Sequence, residues 1–184
     1  QVTLATPQGP LECALHIAGR HNVTNAQAAA ACALAAGVPL DAIARGLSAF
    51  APVKGRSRAL GVRCGEHTVT VVDDSYNANP DSMHAAIEVL AELPAPRLLV
   101  LGDMGEVGDQ GPQFHAEAGA HARARGIERL YALGTLSRHT AKAFGTATHF
   151  DDMASLLAAV RQALPEVGSV LVEGSRFLKM EQVV

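Results

Sequence analysis

The sequence predicts an α/β protein built on a mostly parallel sheet with helices on both faces. Strand-type and helix-type patterns alternate regularly from residue 58 onward, which is typical of such sheets. The segments Leu98–Leu101 and Val170–Val172 are continuously apolar, as strands buried on both sides are. A hydrophobic content of 48% with 18% charged residues is sufficient for a real core.

The front of the chain predicts only part of a sheet domain. Turn-forming residues Pro7 to Pro10 separate two strands, and two helices follow them. The first helix is expected to begin at Thr24, where Gln27 would complete a capping box. The predicted elements are strands 2–6 and 11–17, a helix from Thr24 to about Gly37, and a helix from Leu40 to Phe50. Residues 51–58 contain Pro, Gly and three cations, and we interpret them as a linker.

The remainder of the chain predicts a complete alternating domain without internal repeats. The expected strands are 58–63, 67–73, 97–102, 128–133 and 168–173, with a weak one near 147–150. The expected helices are 80–92, 112–125, 137–144, 151–164 and 175–183. Consecutive parallel strands need such crossover helices, so the two patterns support each other.

Composition excludes several classes of function. A net charge of −3 and only two tyrosines, five phenylalanines and no tryptophan argue against a nucleic-acid partner. The three cysteines are far apart, which argues against disulfides or a zinc site and favours a cytoplasmic location. The longest apolar stretch, residues 26–38, is too short to span a membrane, and no signal peptide is predicted. A start at Gln1 instead of Met is expected for a fragment or a processed product.

The most informative stretch is a polar corner at residues 73–80, between a predicted strand and a predicted helix. It holds two carboxylates, a phenol and two amides: Asp73, Asp74, Tyr76, Asn77 and Asn79. Asn79 is a good helix N-cap, and Pro80 suits the first helical position. Ligands gather at the carboxyl ends of strands in open α/β sheets, so the corner is a candidate ligand site. The alternative is that these residues only cap turns and adopt left-handed geometry.

An acidic loop at residues 102–109 follows a central predicted strand. Its glycines do not match the dinucleotide fingerprint, and Asp103, Glu106 and Asp109 would repel a diphosphate. We interpret it as a loop that receives a cation, such as a substrate ammonium, or binds hydroxyls; a tight acidic surface turn is the alternative. His115 is expected beside this loop, as a ligand contact or a local packing residue. These residues contain no P-loop motif and no zinc-type histidine spacing.

A third set of polar residues lies near a helix start in the front segment. Asn22 and Asn25 are three residues apart, so their amides can face the same way beside His21. A carboxamide offers a donor and an acceptor together, which suits the edge of an adenine. Arg56 in the linker is a candidate phosphate or ribose contact because a guanidinium binds in a bidentate way.

Taken together, five motifs resemble the Mur ligase family over essentially the whole chain. The most specific is the string from Asp73 to Met83, at which other members of the family carry different residues. Two departures stand out, since Glu173 replaces a common Lys and Lys54 a common Pro. The matching segments are Gly19–Ala26, Lys54–Arg56, Asp73–Met83, Leu101–Gly108, and Val172–Arg176 with Met180–Val184.

The resemblance implies a three-domain, ATP-dependent amide ligase of peptidoglycan precursor synthesis. Residues 1–57 would be the C-terminal part of the central ATPase domain, and 58–184 a Rossmann-like C-terminal domain. The implied substrates are ATP, UDP-N-acetylmuramoyl-tripeptide and D-alanyl-D-alanine, joined through an acyl phosphate. Mg²⁺ would be held mainly by residues outside this chain, which is expected to be inactive alone. No membrane insertion and a monomeric state are expected.

The resemblance also implies roles for individual residues. Asn22 and Asn25 would contact the adenine side of ATP, Arg56 the nucleotide, and Asp74 the ribose hydroxyls. The D-alanyl-D-alanine cleft would be lined by Tyr76, Asn77, Asn79, Ser175 and Arg176. No residue is assigned as catalytic. A folate-type glutamate ligase is disfavoured by the string 76–79, and a non-catalytic nucleotide- or peptide-binding module is the alternative from another class.

Overall fold

The computed structural model describes all residues from Gln1 to Val184 and shows two compact units, Gln1–Val53 and Lys54–Val184. The boundary between them lies inside the predicted linker 51–58. Residues 54–57 therefore belong structurally to the second unit. None of the helices combines the length and apolar character that a membrane span requires.

The first unit is a β-hairpin with two helices. Strands β1 (Val2–Thr6) and β2 (Gly9–Cys13) pair antiparallel, and Leu4 faces Leu11 across the pair. These two leucines form a small core with residues of α1 (Arg20–Ala35) and α2 (Leu40–Ala49). The predicted capping box at Thr24 is wrong, because α1 begins one turn earlier, after Gly19.

The second unit is built on a six-stranded sheet of β3 (Arg58–Cys64), β4 (His67–Asp74), β5 (Arg97–Gly102), β6 (Arg129–Leu133), β7 (Thr148–Phe150) and β8 (Ser169–Glu173), in the order β3-β4-β8-β5-β6-β7. Only β3 runs antiparallel, as a hairpin with β4, and the other neighbours are parallel. The mostly parallel sheet predicted from the alternating pattern is therefore confirmed.

Four helices flank this sheet, and their predicted positions are confirmed to within two residues. They are α3 (Pro80–Ala91), α4 (Gly111–Ala124), α5 (Ser137–Phe144) and α6 (Met153–Ala163). The helix predicted at 175–183 is wrong. The chain there forms two short 3-10 turns, Arg176–Leu178 and Met180–Gln182, separated by Lys179 in the left-handed conformation with φ 53°.

The candidate site lies where the central strands of the sheet end. All five residues of β8 are buried, including Glu173, and β8 lies between β4 and β5. Its last residue, Glu173, is in register with Asp74 on one side and Leu101 on the other. The carboxyl ends of three parallel strands therefore meet at one edge, where the segments 75–79, 103–107 and 174–179 follow them.

Candidate functional site

The polar corner begins α3 with a complete capping box. Asn79 Oδ1 accepts a hydrogen bond from Ser82 N at 2.9 Å, and Ser82 Oγ accepts one from Asn79 N at 3.0 Å. Pro80 occupies the first helical turn, where its missing N–H costs nothing. The predicted N-cap is confirmed, and the cap fixes the Asn79 backbone at the start of the helix.

The two aspartates of the corner anchor the preceding segment of chain. Buried Asp73 accepts hydrogen bonds from Gly55 N at 2.9 Å and from Ser75 Oγ at 2.5 Å. Half-buried Asp74 accepts from Ser57 N at 3.0 Å and from Ser57 Oγ at 3.2 Å. Asp73 therefore acts within the fold, whereas Asp74 lies half-buried at the end of β4 and holds Ser57.

A left-handed backbone brings Arg56 to the corner. Gly55 has φ 81°, and a Cβ there would lie 3.1 Å from Tyr76 N and Cβ, so the close approach requires glycine. Tyr76 N also donates to Gly55 O at 3.0 Å. Ser57, with φ 48°, is held in the same region by its bonds to Asp74. Segment 54–57 is therefore fixed against residues 73–76.

This arrangement creates an Arg56–Tyr76–Arg176 cluster. The guanidinium carbon of Arg56 lies 4.3 Å from the Tyr76 ring centroid, and that of Arg176 lies 5.5 Å from it. Tyr76 is 44% exposed and neighbouring Phe177 is 63% exposed. Two cations on one exposed aromatic ring create a local positive potential suited to an anionic ligand such as a phosphate or carboxylate. The sequence places these residues in three distant segments, and the fold unites them.

The two predicted amides of the corner are also accessible. Asn77 and Asn79 are exposed, whereas Ser75 and Ala78 are buried. Asn79 uses Oδ1 in the helix cap, which leaves its NH₂ group as a donor. The corner thus combines amide donors with the positive charge of the cluster.

Asp103, in the acidic loop after β5, faces into the protein. Its carboxylate accepts hydrogen bonds from Thr135 N at 2.9 Å, Leu136 N at 3.1 Å and Ser137 N at 2.7 Å. It therefore caps the N-terminus of α5, where a negative charge is favoured. The predicted cation-binding role is wrong for Asp103, because its oxygens are used by backbone donors. Glu106 and Asp109 of the same loop remain exposed.

His115 supports the same loop from within α4. Its Nδ1–H donates to Gly111 O at 2.7 Å, and its Nε2 accepts from Met104 N at 2.9 Å, which is the pattern of a neutral ring. Burial lowers the His115 pKa, consistent with that state. Of the two predicted roles, local packing is therefore the one observed.

Ser175 ties three segments of the site together. Its Oγ accepts a hydrogen bond from Gly105 N and lies 3.4 Å from Ala78 O, and its N–H donates to Asp103 O at 3.0 Å. The residue is buried. Both of its polar groups are engaged in the fold, while the exposed guanidinium of its neighbour Arg176 lies 3.8 Å from a carboxylate oxygen of Glu181.

Glu173 is a residue at this edge that sequence reasoning did not assign to the site. It is fully buried at 0% exposure; Oε1 lies 2.8 Å from Ser82 Oγ, and Oε2 has no hydrogen-bond partner. Burial raises its pKa well above the ordinary value, the Asp74 charge raises it further, and the Ser82 hydrogen bond lowers it. The one feature of the sequence that pointed to Glu173 was that it replaces a lysine common in the family.

The amide cluster of the first unit is formed at the start of α1. Asn22 Nδ2 donates to Ala18 O at 2.6 Å and lies 2.9 Å from His21 Nε2. Asn25 Nδ2 donates to Asn22 Oδ1 at 3.1 Å, and the Asn25 side chain is exposed. The structure therefore unites the three predicted residues and orders their amides.

Arg56 and Asp74 offer the chemistry that a nucleotide requires, namely an exposed cation and a carboxylate acceptor. By contrast, no group of three or more His, Cys, Asp or Glu side chains is arranged to hold a metal ion.

The chain is similar to known proteins over its whole length. Residues 55–176 match the model of the Mur ligase, glutamate ligase domain. The chain is 41% identical, over its whole length, to the UDP-N-acetylmuramoyl-tripeptide–D-alanyl-D-alanine ligase of Escherichia coli K12, and covers 40% of that protein. A crystal structure of MurF from Acinetobacter baumannii superposes with a TM-score of 0.87 at 35% identity, over 98% of this chain and 40% of that one.

A MurF ligase from Thermotoga maritima, solved in complex with ADP, shares the fold with a TM-score of 0.75 at 23% identity. It is matched over 95% of this chain and 39% of that one. The chain therefore spans about two fifths of the length of the relatives that it matches. Since the family model covers most of its residues, the chain belongs to the Mur ligase family.

Proposed function

We propose that this chain is part of an ATP-dependent ligase that adds D-alanyl-D-alanine to UDP-N-acetylmuramoyl-tripeptide in peptidoglycan precursor synthesis. The observation that supports this most is 41% identity across the whole chain to a ligase of that name. The exposed corner with its cationic cluster fits the same chemistry, because the substrates are anionic.

In this proposal the two parts of the chain belong to different domains. Residues 1–57 are the end of the central ATPase domain, and 58–184 form the C-terminal domain. The compact units divide nearby, at residues 53 and 54, and the family model begins at residue 55. Both observations favour a domain boundary within residues 51–58.

Each part of the chain carries its own candidate contacts for the nucleotide. Asn22 and Asn25 meet the adenine side, and the exposed Arg56 guanidinium meets a phosphate. Asp74, a half-buried carboxylate at the end of β4, is the acceptor for the ribose hydroxyls. The bound ADP of the Thermotoga maritima relative is consistent with a nucleotide in this family.

The dipeptide lies against the corner. Asn77 and Asn79 offer amide donors, Tyr76 an aromatic face, and Arg176 a positive charge for the terminal carboxylate. Ser175 acts by holding the loops in place, because both its hydroxyl and its N–H are used in the fold. These groups position the dipeptide amine for attack, and their contribution is orientation and electrostatics.

The remaining partners follow from the reaction. ATP acts with Mg²⁺, and the ion is held mainly by residues outside this chain. The tripeptide carboxylate takes the γ-phosphoryl group, and the dipeptide amine then displaces phosphate to form the amide.

We propose a monomeric protein that acts in the cytoplasm, where these precursors are made. The 184-residue chain alone is expected to turn over no ATP.

The test compares the 184-residue chain with the full-length protein that contains it. Each is incubated with ATP, Mg²⁺, the UDP-linked tripeptide and D-alanyl-D-alanine, and the amide product is measured by mass spectrometry. The proposal predicts amide and equimolar ADP from the full-length protein and neither from the chain alone. A full-length protein that binds ATP but forms no amide would support the alternative, a non-catalytic nucleotide- or peptide-binding module.

A further inference from the structure

The Ser82 hydroxyl has more hydrogen-bond partners than one hydrogen can serve. Its Oγ accepts from Asn79 N at 3.0 Å, and it lies 3.1 Å from Asn79 O and 2.8 Å from Glu173 Oε1. A serine hydroxyl donates once and accepts twice. If Glu173 were a carboxylate, two acceptors would compete for one hydrogen, and one contact would remain unmade.

A proton on Glu173 removes this competition. The carboxyl O–H then donates to Ser82 Oγ, and the Ser82 hydroxyl donates to Asn79 O. Ser82 Oγ accepts from both Asn79 N and Glu173, which fills its two lone pairs. Hydroxyl hydrogens are assigned from such networks, and this assignment satisfies all three contacts of Ser82 Oγ, in addition to the hydrogen bond that Asn79 O accepts from Met83 N at 2.9 Å.

The surroundings of Glu173 favour its neutral form. It is fully buried, and its second oxygen, Oε2, has no hydrogen-bond partner. Burying an unpaired carbonyl oxygen of a neutral acid costs far less free energy than burying an unpaired oxygen of a charged carboxylate. Its strand neighbours are Asp74 and Leu101, and its α3 neighbour is Ser82. Asp74 is the charged group among them. Burial and the Asp74 charge both raise the pKa of Glu173.

We propose that Glu173 is a positioning residue that works as a neutral acid, holding Ser82 and, through it, the backbone of Asn79 at the start of α3. The inference rests on the proposed function, because Asn79 is assigned there to the dipeptide corner. Ionisation would remove the donor to Ser82 and place a second negative charge beside Asp74. The corner would then loosen as the pH rises.

The kinetic test uses the full-length protein and the KM for D-alanyl-D-alanine as a function of pH. Glu173→Gln keeps the shape and an N–H donor for Ser82 but cannot ionise. Raising the pH should increase the wild-type KM about tenfold. A tenfold change corresponds to the free energy lost when one buried polar group loses its hydrogen-bond partner. In Glu173→Gln this increase should disappear. Glu117→Gln, an exposed change on α4, should follow the wild type. A Glu173→Gln profile identical to that of the wild type would overturn the proposal.

Infrared spectroscopy tests the protonation state without activity. The wild-type minus Glu173→Gln difference spectrum should contain the C=O band of a protonated acid at neutral pH, replaced by carboxylate bands at high pH. If Glu173→Gln does not fold, Ser82→Ala serves instead, since loss of the acceptor should shift that C=O band. Carboxylate bands alone at neutral pH would refute a neutral Glu173. A full-length protein that forms no amide would refute the proposed function and leave this spectroscopic test intact.

Discussion

Replacement of Tyr76 by leucine should weaken nucleotide binding, although Tyr76 is assigned to the dipeptide side. The Tyr76 ring supports the Arg56 guanidinium at 4.3 Å, and an exposed cation–π contact contributes about 0.5–1 kcal/mol. If that support orients Arg56 toward a phosphate, its loss should raise the KM for ATP about twofold to fivefold. Arg176, at 5.5 Å from the same ring, should lose a comparable contact, so the KM for D-alanyl-D-alanine should rise as well.

The assay is steady-state ADP release by the full-length protein, with each substrate varied at saturating levels of the others. Tyr76→Phe is the matched control because it keeps the ring and removes only the hydroxyl. Its KM for ATP should stay within about twofold of the wild type. A Tyr76→Leu enzyme with an unaltered KM for ATP would show that the ring does not position Arg56. Equal effects of phenylalanine and leucine would assign the effect to the phenol hydroxyl.

Three further predictions concern neighbouring residues. Asp74→Ala should raise the KM for ATP about tenfold by removing charge-assisted hydrogen bonds to the ribose, measured in the same assay. Asp103→Ala should lower the free energy of unfolding by about 2–4 kcal/mol, because three backbone N–H groups at the start of α5 lose their acceptor; urea denaturation measures this. Glu173→Gln should be increasingly more stable than the wild type as the pH rises above 4.5, the ordinary pKa of the carboxyl, by about 1.4 kcal/mol per pH unit up to the raised folded-state pKa.

The sign of the Glu173 effect follows from its raised pKa. Below 4.5 the carboxyl is protonated in both the folded and unfolded states, so its titration does not change the free energy of unfolding with pH. Above that value the unfolded chain releases the proton first, and the wild type loses stability until the folded state ionises too. A stability difference that is constant with pH would contradict this account.

The predictions for Asp74 and Asp103 can each be contradicted by one measurement. For Asp74, an unchanged KM for ATP would remove this residue from the ribose role. For Asp103, the matched control is Asp109→Ala, an exposed change near the same loop that should alter stability by less than about 0.5 kcal/mol. Equal stability of the two variants would show that Asp103 is not a structural cap.

The strands and most helices were predictable because their signals are local. Continuous apolar runs mark β5 and β8, and Asn79 followed by Pro80 marks the start of α3. The polar corner could be located in the same way, as polar residues after a buried strand. The start of α1 was misplaced because the chain turns into a helix at Gly19 without any side-chain cap.

The parts that could not be predicted depend on contacts between distant segments. Asp103 is an acidic loop residue in the sequence, but its partners lie more than thirty positions further along, at the start of α5. Tyr76 meets Arg176 only because β4 and β8 are adjacent and parallel. Glu173 ends an apolar strand, and its burial beside Asp74 follows from the strand order.

The central claim is that this chain belongs to a ligase that activates a carboxylate as an acyl phosphate. The most direct test is transfer of ¹⁸O from the labelled terminal carboxylate of the tripeptide during the reaction of the full-length protein with ATP and D-alanyl-D-alanine. Since the dipeptide amine displaces the phosphate together with one former carboxylate oxygen, the account predicts one ¹⁸O in the released phosphate for each amide formed. Unlabelled phosphate, or no amide at all, would contradict it.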